Sequence, residues 1–443
     1  MYYFIGIKGT GMSALACFLK DLGYEVKGSD VERHFFTEKG LNERNIEILP
    51  YDEKNITKDM VIIRGNVIKD DHPEMVKATE LDLKVYTYQE MVAKLTKMFM
   101  TVTVAGCHGK TTTSTMAYQV LNAIKGANCL IGDGTGIANK ENKYFVLEAC
   151  EYKRHFLSYT PYYAIITNIE LDHVDYYKDI DDVIDAFTEY ANNAEKMVIA
   201  CGDDPYTHSL EVSKPIFYYG LDDDNDIIAK DVNYNENGVT FDVFVEDNYY
   251  GHFDLPLYGK HMLLDALAVI SLCYYERFDA KEVSKILKEF HTARRRFNET
   301  IVGTNVLIDD YAHHPTELKC TIKSARQKYP NKKLVAVWGP HTYSRTKAFE
   351  DDYIEILKTV DKAYIMDIYA AREKQGDIDI DINDIIKAIP NAEHISENET
   401  GKLLEYEDSV LLFMSPNDLT GFEQDYINKY HEVKDNNKES TEK

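Results

Sequence analysis

The chain has 443 residues, of which 44% are hydrophobic and 28% charged, so it is too long for one ordinary core and predicts two or three globular domains. Its net charge of −25 excludes nucleic acid and anionic membrane surfaces as main partners, because both require concentrated positive charge. No apolar run reaches membrane-spanning length, the N-terminus lacks a signal-peptide pattern, and the seven cysteines show no CxxC spacing. We therefore expect a cytoplasmic protein with reduced thiols and no membrane partner.

The first α/β unit is predicted from the opening sequence YYFIGIKGTGMSALACFLKDLGYEVKGSD. This pattern indicates a strand, a glycine cluster, an amphipathic helix and a second strand. Gly9, Thr10 and Gly11 lie at the turn where the backbone can approach a ligand, and Asp30 ends the second strand. A dinucleotide-binding fold places its ribose-binding acid at about that position, so we predict a nucleotide site. A glycine turn that only permits close packing is the alternative.

The second block begins with TVTVAGCHGKTTT at residues 101–113, which predicts a strand, a glycine turn and the start of a helix. Backbone N–H groups at such a turn point at phosphate, Lys110 adds a mobile positive charge, and Thr111 offers a hydroxyl to magnesium. The spacing departs from the ordinary phosphate-loop pattern because Val104 stands where a glycine is expected. An incidental turn is the alternative. The loop residues predicted to bind a nucleotide are Gly106, Cys107, His108, Gly109, Lys110, Thr111 and Thr112.

Polar residues follow the next predicted strands of this block, at 144–150 and 162–169. The carboxyl ends of parallel strands share one sheet edge, and ligands bind there in open α/β folds. The residues found at these ends are Glu148, Glu151, Asn168, Asp172 and His173. Carboxylate, hydroxyl and imidazole groups together predict one or two magnesium ions beside a triphosphate. Individually, each residue has the alternative of a solvated or helix-capping side chain.

A β-rich stretch at 216–254, with a hairpin turn at 235–238, and a helix at 262–278 precede the third block. That block starts after HTARRRFNE (291–299), where three arginines in an acidic chain indicate an anion site. VLIDDYAHHPTE (306–317) and GPHTYSRT (339–346) each predict a strand end with polar residues. We interpret the two histidines, His313 and His314, as hydrogen-bond donors to a substrate rather than metal ligands. The polar tail at 434–443 is predicted to be disordered.

Taken in order, these motifs resemble the Mur ligase family over residues 2–430. The segments that carry the resemblance are GIKGTGM with GSD, GCHGKTTT, LEACEY, TNIELDHVDYY, RRRFNE, DDYAHHP and PHTYSRT. The last two are more specific to the muramate-utilising branch than the ATP loop. The resemblance implies an α/β fold of three domains, each built on a mainly parallel sheet. These are a Rossmann-like UDP-binding domain at 1–94, a P-loop-type ATP-binding domain at 95–296 and a Rossmann-like domain at 297–443.

The resemblance also implies an activity: an ATP- and Mg²⁺-dependent ligase joining L-alanine to UDP-N-acetylmuramate through an acyl phosphate, in peptidoglycan precursor synthesis. We expect a monomer or a weak homodimer. The implied catalytic residues are Lys110, Glu148, His173 and Arg296. Magnesium ligation is implied for Thr111, Glu148 and His173. Nucleotide contacts are implied for the loop at 106–112 and for Asn168, Asp265, Arg296 and Asp310. Substrate contacts are implied for Gly9, Thr10, Gly11, Asp30, Tyr311, His313, His314, His341, Ser344 and Arg345.

Three positions depart from the family pattern. Asp265 replaces an asparagine, Gly339 replaces the glutamine of QPH, and MSPNDL at 414–419 replaces MGAGDI. Two alternatives stay open beside the alanine ligase. One is the recycling ligase that joins UDP-muramate to a tripeptide, which shares most of these motifs. The other is a non-catalytic paralogue that binds a UDP-sugar, which the departures at Asp265 and 414–419 motivate. A dehydrogenase is disfavoured, because a single βαβ unit explains neither GCHGKTTT nor DYAHHP.

Overall fold

A computed structural model describes residues 1–371, 373–374 and 376–441 of the chain, with residues 435–441 described by their backbone alone. Three sheets of five, ten and six strands follow one another along the chain. Each is mainly parallel and covered by helices, so the predicted α/β fold of three domains is confirmed. Within the described residues, no helix combines the length and the apolar character needed to cross a bilayer.

The N-terminal sheet is entirely parallel and has the order β3-β2-β1-β4-β5. Its strands are β1 (Tyr2–Ile5), β2 (Val26–Ser29), β3 (Glu47–Leu49), β4 (Val61–Arg64) and β5 (Lys84–Thr87). Its helices are α1 (Thr10–Asp21), α2 (Glu38–Glu43), α3 (Pro73–Glu80) and α4 (Tyr88–Thr96), with a 3-10 turn at Glu53–Asn55. Helix α1 starts directly after the glycine turn, with Gly9 at its N-cap. The turn therefore brings backbone N–H groups to the carboxyl edge of the sheet.

The central sheet has ten strands in the order β15-β14-β13-β12-β11-β10-β6-β9-β7-β8. The strands are β6 (Met100–Ala105), β7 (Ala127–Leu130), β8 (Gly136–Ile137), β9 (Tyr144–Glu148), β10 (Tyr163–Ile166), β11 (Met197–Cys201), β12 (Ile216–Gly220), β13 (Ile227–Asn235), β14 (Gly238–Val245) and β15 (Asn248–Leu255). The helices are α5 (Lys110–Lys125), α6 (Ile180–Asn192), α7 (Lys260–Tyr275) and α8 (Ala280–Lys288), with 3-10 turns at Tyr152–Ser158 and Pro205–Ser209. The predicted hairpin at 235–238 is confirmed, because Asn235 pairs with Gly238 across antiparallel β13 and β14.

The C-terminal sheet has the order β16-β17-β21-β18-β19-β20, and only its edge strand β16 is antiparallel. Its strands are β16 (Asn298–Val302), β17 (Asn305–Asp310), β18 (Lys333–Trp338), β19 (Lys362–Ile365), β20 (Ala392–His394) and β21 (Ser409–Met414). The helices are α9 (Pro315–Lys328), α10 (Tyr343–Ala348), α11 (Glu350–Leu357), α12 (Ile382–Ala388) and α13 (Thr420–Thr441), with a 3-10 turn at Thr400–Glu405. The last strand, β21, is buried along its whole length between β17 and β18.

One prediction about the tail is wrong. Helix α13 continues to Thr441, although residues 434–443 were expected to be disordered. The segment contains neither glycine nor proline, the residues that most often end a helix. Its first residue, Lys434, forms an ion pair with Glu407 at 2.9 Å. Residues 442–443 lie outside the described part of the chain. The domain boundaries at 94 and 296 stay predictions.

Candidate active site

The central sheet brings the predicted phosphate and magnesium residues to one edge. Strands β9, β6 and β10 are parallel neighbours, so the residues that follow them meet at their shared carboxyl ends. They line a cavity of about 260 Å³ between the central and C-terminal domains, which we call the reaction cavity. The predicted residues on its wall are Cys107, His108, Gly109, Lys110, Thr111, Glu148, Glu151, Asp172, His173, Arg296, Tyr311, His313, His341, Ser344 and Arg345.

The phosphate loop between β6 and α5 depends on its two glycines. Gly106 has φ of +147°, and a Cβ there would overlap the hydroxyl of Thr167. Gly109 has φ of +79° and precedes α5 directly, so the helix N-terminus faces the cavity. Lys110 Nζ donates to the carbonyls of Gly106 at 2.5 Å and Cys107 at 3.0 Å. These features fit a triphosphate, because the backbone N–H groups at the start of α5 and the ammonium of Lys110 can both bind phosphate oxygens.

Lys110 also forms an ion pair with Glu151, at 2.9 Å. Burial acts to lower the pKa of Lys110, but the negative charge of Glu151 outweighs it and holds the pKa above its usual value. The carboxylate of Glu151 lies 3.5 Å from His173 Nε2 as well, and His173 adopts a left-handed backbone with φ of +51°. Glu151 therefore connects the lysine and the histidine that the sequence predicted to serve phosphate and metal.

Thr111 and Glu148 lie side by side, as magnesium binding requires. The Thr111 hydroxyl donates to Glu148 Oε1 at 3.1 Å, and the backbone N–H of Gly132 donates to Oε2 at 2.7 Å. Arg296 Nη2 lies 3.2 Å from the same hydroxyl. Burial raises the pKa of the Glu148 carboxyl, so a cation beside it would be stabilising. The oxygen-rich donor set fits Mg²⁺.

His108 connects the phosphate loop with the C-terminal domain. Its Nε2 lies 2.8 Å from Glu170 and its Nδ1 lies 3.2 Å from Glu317, near the start of α9. The hydroxyl of Thr316 donates to Glu170 at 2.8 Å. Burial acts to lower the pKa of His108, but the two carboxylates raise it to about 10, so both ring N–H groups donate at neutral pH. We call these four residues, His108, Glu170, Thr316 and Glu317, the His108 clasp. The sequence analysis did not identify Glu170, Thr316 or Glu317.

A second interdomain link joins Asp172 to Arg345, whose guanidinium donates to Asp172 Oδ1 at 2.8 Å and 3.1 Å. Both side chains are buried. Burial acts to raise the pKa of Asp172, but the Arg345 charge holds it well below its usual value. Nearby, Ser344 donates to Glu373, and the Arg296 guanidinium lies 5.0 Å from the centre of the Tyr311 ring. The predicted residues of PHTYSRT and DDYAHHP therefore meet the central domain at the reaction cavity.

A second cavity, of about 390 Å³, lies on the other side of His108; we call it the Asp265 cavity. Four more of the predicted nucleotide residues line it, namely Thr112, Asn168, Asp265 and Asp310, whereas Gly106 lines neither cavity. Asp265 packs against the phosphate loop so closely that a Cβ at Gly109 would overlap its carboxylate. Burial raises the pKa of Asp265 to about 8. Lys260 and His261, which the sequence analysis did not identify, also line this cavity.

The N-terminal residues Gly9, Thr10 and Gly11 line a third cavity, of about 270 Å³, together with Glu148. This glycine-turn cavity therefore reaches the predicted magnesium residue from the first domain. Asp30 is not among its lining residues, and its carboxylate accepts the backbone N–H groups of Lys8 at 2.7 Å and Val31 at 2.8 Å. The predicted contact of Asp30 with ribose stays a prediction.

Two further predicted residues, Asp310 and His314, form hydrogen bonds with nearby backbone groups. Asp310 accepts the backbone N–H groups of Phe297 and Ala312, both at 2.8 Å, and burial raises its pKa to about 6. His314 is 1% exposed and lines none of the three cavities. Its Nδ1 accepts the N–H of Thr316 at the start of α9, whereas its Nε2 is buried without a hydrogen-bond partner among the described residues, and burial lowers its pKa to about 4. Its predicted contact with the sugar stays a prediction.

Three family models match the chain in succession: the Mur ligase family catalytic domain over residues 1–100, the Mur ligase middle domain over 104–273, and the Mur ligase glutamate ligase domain over 295–415. A UDP-N-acetylmuramate–alanine ligase from Thermotoga maritima has a similar structure, with a TM-score of 0.80 and 24% identity over 98% of this chain and 99% of that one.

A murein peptide ligase from Psychrobacter arcticus matches with a TM-score of 0.70 and 21% identity, over 96% of this chain and 98% of that one. A MurF ligase from Thermotoga maritima in complex with ADP matches with a TM-score of 0.66 and 17% identity, over 94% and 97% of the two chains. At these identities the structural matches show the shared fold. Together with the three family models, they show that this chain belongs to the Mur ligase family of ATP-dependent ligases.

Proposed function

We propose that this chain joins L-alanine to the carboxylate of UDP-N-acetylmuramate at the expense of ATP, in peptidoglycan precursor synthesis. The observation that carries the proposal is the meeting of three domains around Glu148. The glycine-turn cavity reaches this residue from the N-terminal domain, and the reaction cavity reaches it from the central and C-terminal domains. A UDP-sugar held by the first domain and a triphosphate held by the phosphate loop would therefore meet there.

The first step would be attack of the muramate carboxylate on the γ-phosphorus of ATP. One O–P bond forms, the bond to the leaving ADP breaks, and an acyl phosphate results. Both reactants are anions, so the positive groups around them must offset their repulsion. Lys110 and Arg296 supply two such groups on the wall of the reaction cavity. Mg²⁺ held by Thr111, Glu148 and His173 would neutralise charge on the phosphates when bound.

The second step would be attack of the amino group of L-alanine on the acyl carbon. A C–N bond forms, the C–O bond to phosphate breaks, inorganic phosphate leaves, and the amine loses its protons to solvent. Water would compete as a nucleophile, so the cavity must be closed during this step. The Asp172–Arg345 pair and the His108 clasp hold the C-terminal domain against the phosphate loop and would provide this closure.

For the nucleotide, we propose that the phosphates lie at Lys110 and that the base occupies the Asp265 cavity. The support is position: the two cavities lie on either side of His108, and Gly109 and Arg296 line both. An asparagine amide can donate a hydrogen bond to a base, whereas an ionised Asp265 can only accept one. The raised pKa of about 8 for Asp265 keeps the carboxyl protonated at neutral pH, so it retains a donor.

The decisive experiment is phosphate release from ATP and Mg²⁺ with UDP-N-acetylmuramate, adding L-alanine or the tripeptide in parallel. UDP-N-acetylglucosamine, which lacks the acceptor carboxylate, is the matched control. Release that requires both UDP-N-acetylmuramate and L-alanine supports the proposal. Release with the tripeptide alone would identify the recycling ligase instead. No turnover from folded protein that still binds the UDP-sugar would identify the non-catalytic alternative.

A further inference from the structure

Two histidines and a glutamate from three distant segments meet where the phosphate loop faces the C-terminal domain. His108 belongs to the loop, Glu170 lies in the segment after β10, and His314 directly precedes α9. Each residue has one atom suited to binding a metal ion, and these three atoms lie within 4.8 Å of one another. The ring centres of His108 and His314 are 4.7 Å apart. We call these three residues the interdomain triad.

The spacing of the three atoms suits a small divalent cation. Zn²⁺ lies about 2.0–2.2 Å from nitrogen and carboxylate ligands, so two ligand atoms of a tetrahedral centre are about 3.3 Å apart. His108 Nε2 lies 2.8 Å from Glu170 Oε2, and His314 Nδ1 lies 3.8 Å from the same oxygen. Shifts of about half an ångström would place both nitrogens and the oxygen around one ion.

The hydrogen bonds around the interdomain triad orient both histidines for this role. Glu317 lies 3.2 Å from His108 Nδ1, so this nitrogen keeps its proton while Nε2 faces Glu170. A carboxylate behind a ligating histidine is the usual outer contact of a metal site. The N–H of Thr316 donates to His314 Nδ1 at 3.3 Å, so the ring proton lies on Nε2. A metal at Nδ1 replaces this long hydrogen bond.

The donor set favours an ion of the zinc class over magnesium. Two imidazole nitrogens and one carboxylate suit Zn²⁺ and neighbouring transition metals, whereas Mg²⁺ prefers oxygen ligands. The carboxylates of Glu170 and Glu317 flank His108, and their two negative charges balance the charge of the ion. The proton on His108 Nε2 occupies the position that the metal takes, so binding releases this proton to solvent.

An ion can reach the interdomain triad from solvent. His108 and Glu170 line the Asp265 cavity, and the Glu170 side chain is 39% exposed. His314 is buried behind them. Protein therefore encloses the ion on one side, and the cavity lies on the other. Water can complete the coordination from the cavity, as in zinc sites that have three protein ligands.

We propose that Zn²⁺ binds to His108, Glu170 and His314, and that the bound ion ties the C-terminal domain to the phosphate loop. His108 and Glu170 come from the central domain and His314 from the C-terminal domain, so one ion bridges the two. The inference goes beyond the proposed ligase reaction, in which Mg²⁺ acts at Thr111 and Glu148. The bridge holds the closed arrangement, so it slows product release and inhibits turnover.

The first test is calorimetric titration of the full chain with Zn²⁺ at saturating Mg²⁺, which keeps the Thr111 and Glu148 site occupied. We expect one tightly bound zinc ion per chain. Glu170→Gln changes a partly exposed residue and should weaken zinc binding at least about tenfold, since loss of a ligand should cost no less than loss of a residue that orients one. His314→Gln should weaken zinc binding as much. His252→Ala, which removes a surface histidine outside the interdomain triad, is the matched control.

Two binding results would overturn the inference. One is equal zinc affinity in the parent and in folded Glu170→Gln and His314→Gln. The other is zinc binding that saturating Mg²⁺ removes, which would assign the ion to the magnesium residues. Tight binding that depends on both Glu170 and His314, and not on His252, supports the interdomain triad.

Phosphate release then tests the bridge between the domains. Zn²⁺ should inhibit the parent, added Mg²⁺ should not relieve the inhibition, and folded Glu170→Gln should need at least about tenfold more Zn²⁺ for half-inhibition. Tight zinc binding without inhibition, or inhibition that Mg²⁺ relieves fully, would overturn the bridge. If no acceptor supports phosphate release, the proposed function fails, and the zinc titration still decides whether the interdomain triad binds the metal.

Discussion

The ammonium of Lys110 and the carboxylate of Glu151 lie 2.9 Å apart beneath the phosphate loop. Glu151 is 1% exposed and also faces His173, so one buried carboxylate orients two residues of the reaction cavity. A buried carboxylate of this kind is costly without its cation. The lysine is therefore held in place before any nucleotide binds, with its ammonium at the mouth of the loop.

Lys110→Ala should abolish phosphate release while the protein still binds UDP-N-acetylmuramate, because the UDP-sugar site is proposed on another domain. The variant loses the charge that offsets repulsion between carboxylate and triphosphate. Turnover and calorimetric binding of the UDP-sugar are the two measurements. Lys125→Ala, at the exposed end of the same helix α5, is the matched control and should retain both. Loss of UDP-sugar binding in well-folded Lys110→Ala would contradict the placement of the two sites.

Magnesium dependence tests the pairing of Thr111 with Glu148. Chelation should stop phosphate release, and Glu148→Gln should raise the Mg²⁺ concentration needed for half-maximal rate by at least about tenfold, since loss of a ligand should cost no less than loss of a residue that orients one. The reason is that an amide oxygen carries no charge to bind the cation. Rates measured across a magnesium titration give the answer. Glu141→Gln, in an exposed turn near β9, is the control. An unchanged magnesium requirement in Glu148→Gln would remove this residue from the metal site.

Sequence alone could place Lys110, Glu148 and His173 together, because each follows a strand and parallel strands end at a common edge. It could not find Glu170 or Glu317. Glu317 contacts His108, a residue 209 positions earlier in the chain, and that pairing depends on how two domains pack. The only local signal at Glu317 is its capping of α9, which predicts a helix start and nothing more.

Residue type alone does not distinguish ligand contacts from local hydrogen bonds. Asp30, Asp310 and His314 have the side chains that nucleotide sites use, and each also accepts a backbone N–H group. An acid at a strand end can satisfy either a ligand or its own loop, and the sequence pattern is the same in both cases. Gly339 and Ser415 are 76 positions apart in the sequence, and they are in contact because β18 and β21 are neighbouring strands.

Asp265 gives a pH prediction. Because burial raises its folded pKa to about 8, the folded state holds a proton that the unfolded state releases near pH 4. The contribution of Asp265 to the free energy of unfolding is therefore fully present below pH 4, and it is lost progressively as the pH rises to about 8. Asp265→Asn, which cannot ionise, should gain stability relative to the parent over this range, by up to about 1.4 kcal/mol per pH unit.

Melting temperatures of both proteins between pH 5 and pH 9 measure the difference attributed to Asp265. Asp384→Asn is the control, since this exposed residue on α12 forms its one ion pair within the described part of the chain with Lys387. The same titration applies to nucleotide binding: the parent should lose ATP affinity above pH 8, where Asp265 ionises, and Asp265→Asn should not. A parent protein whose affinity and stability match those of Asp265→Asn at every pH would show that Asp265 is not protonated in the folded state.

The His108 clasp should control closure of the C-terminal domain. In His108→Ala, Glu170 and Glu317 lose a charged donor and repel each other, so the C-terminal domain should separate from the phosphate loop. We expect a lower kcat and a larger radius of gyration by small-angle scattering, with ATP hydrolysis uncoupled from ligation because water enters. His252→Ala, which removes a surface histidine paired with Asp242 at 2.8 Å, is the matched control.

The same clasp gives a pH prediction. The folded pKa of His108, about 10, exceeds its unfolded value near 6.5, so the stabilisation from the charged imidazole is fully present below pH 6.5 and is lost as the pH rises through 10. The parent should therefore expand toward the dimensions of His108→Ala at high pH, and a parent that stays compact above pH 10 would show that other contacts hold the domains together.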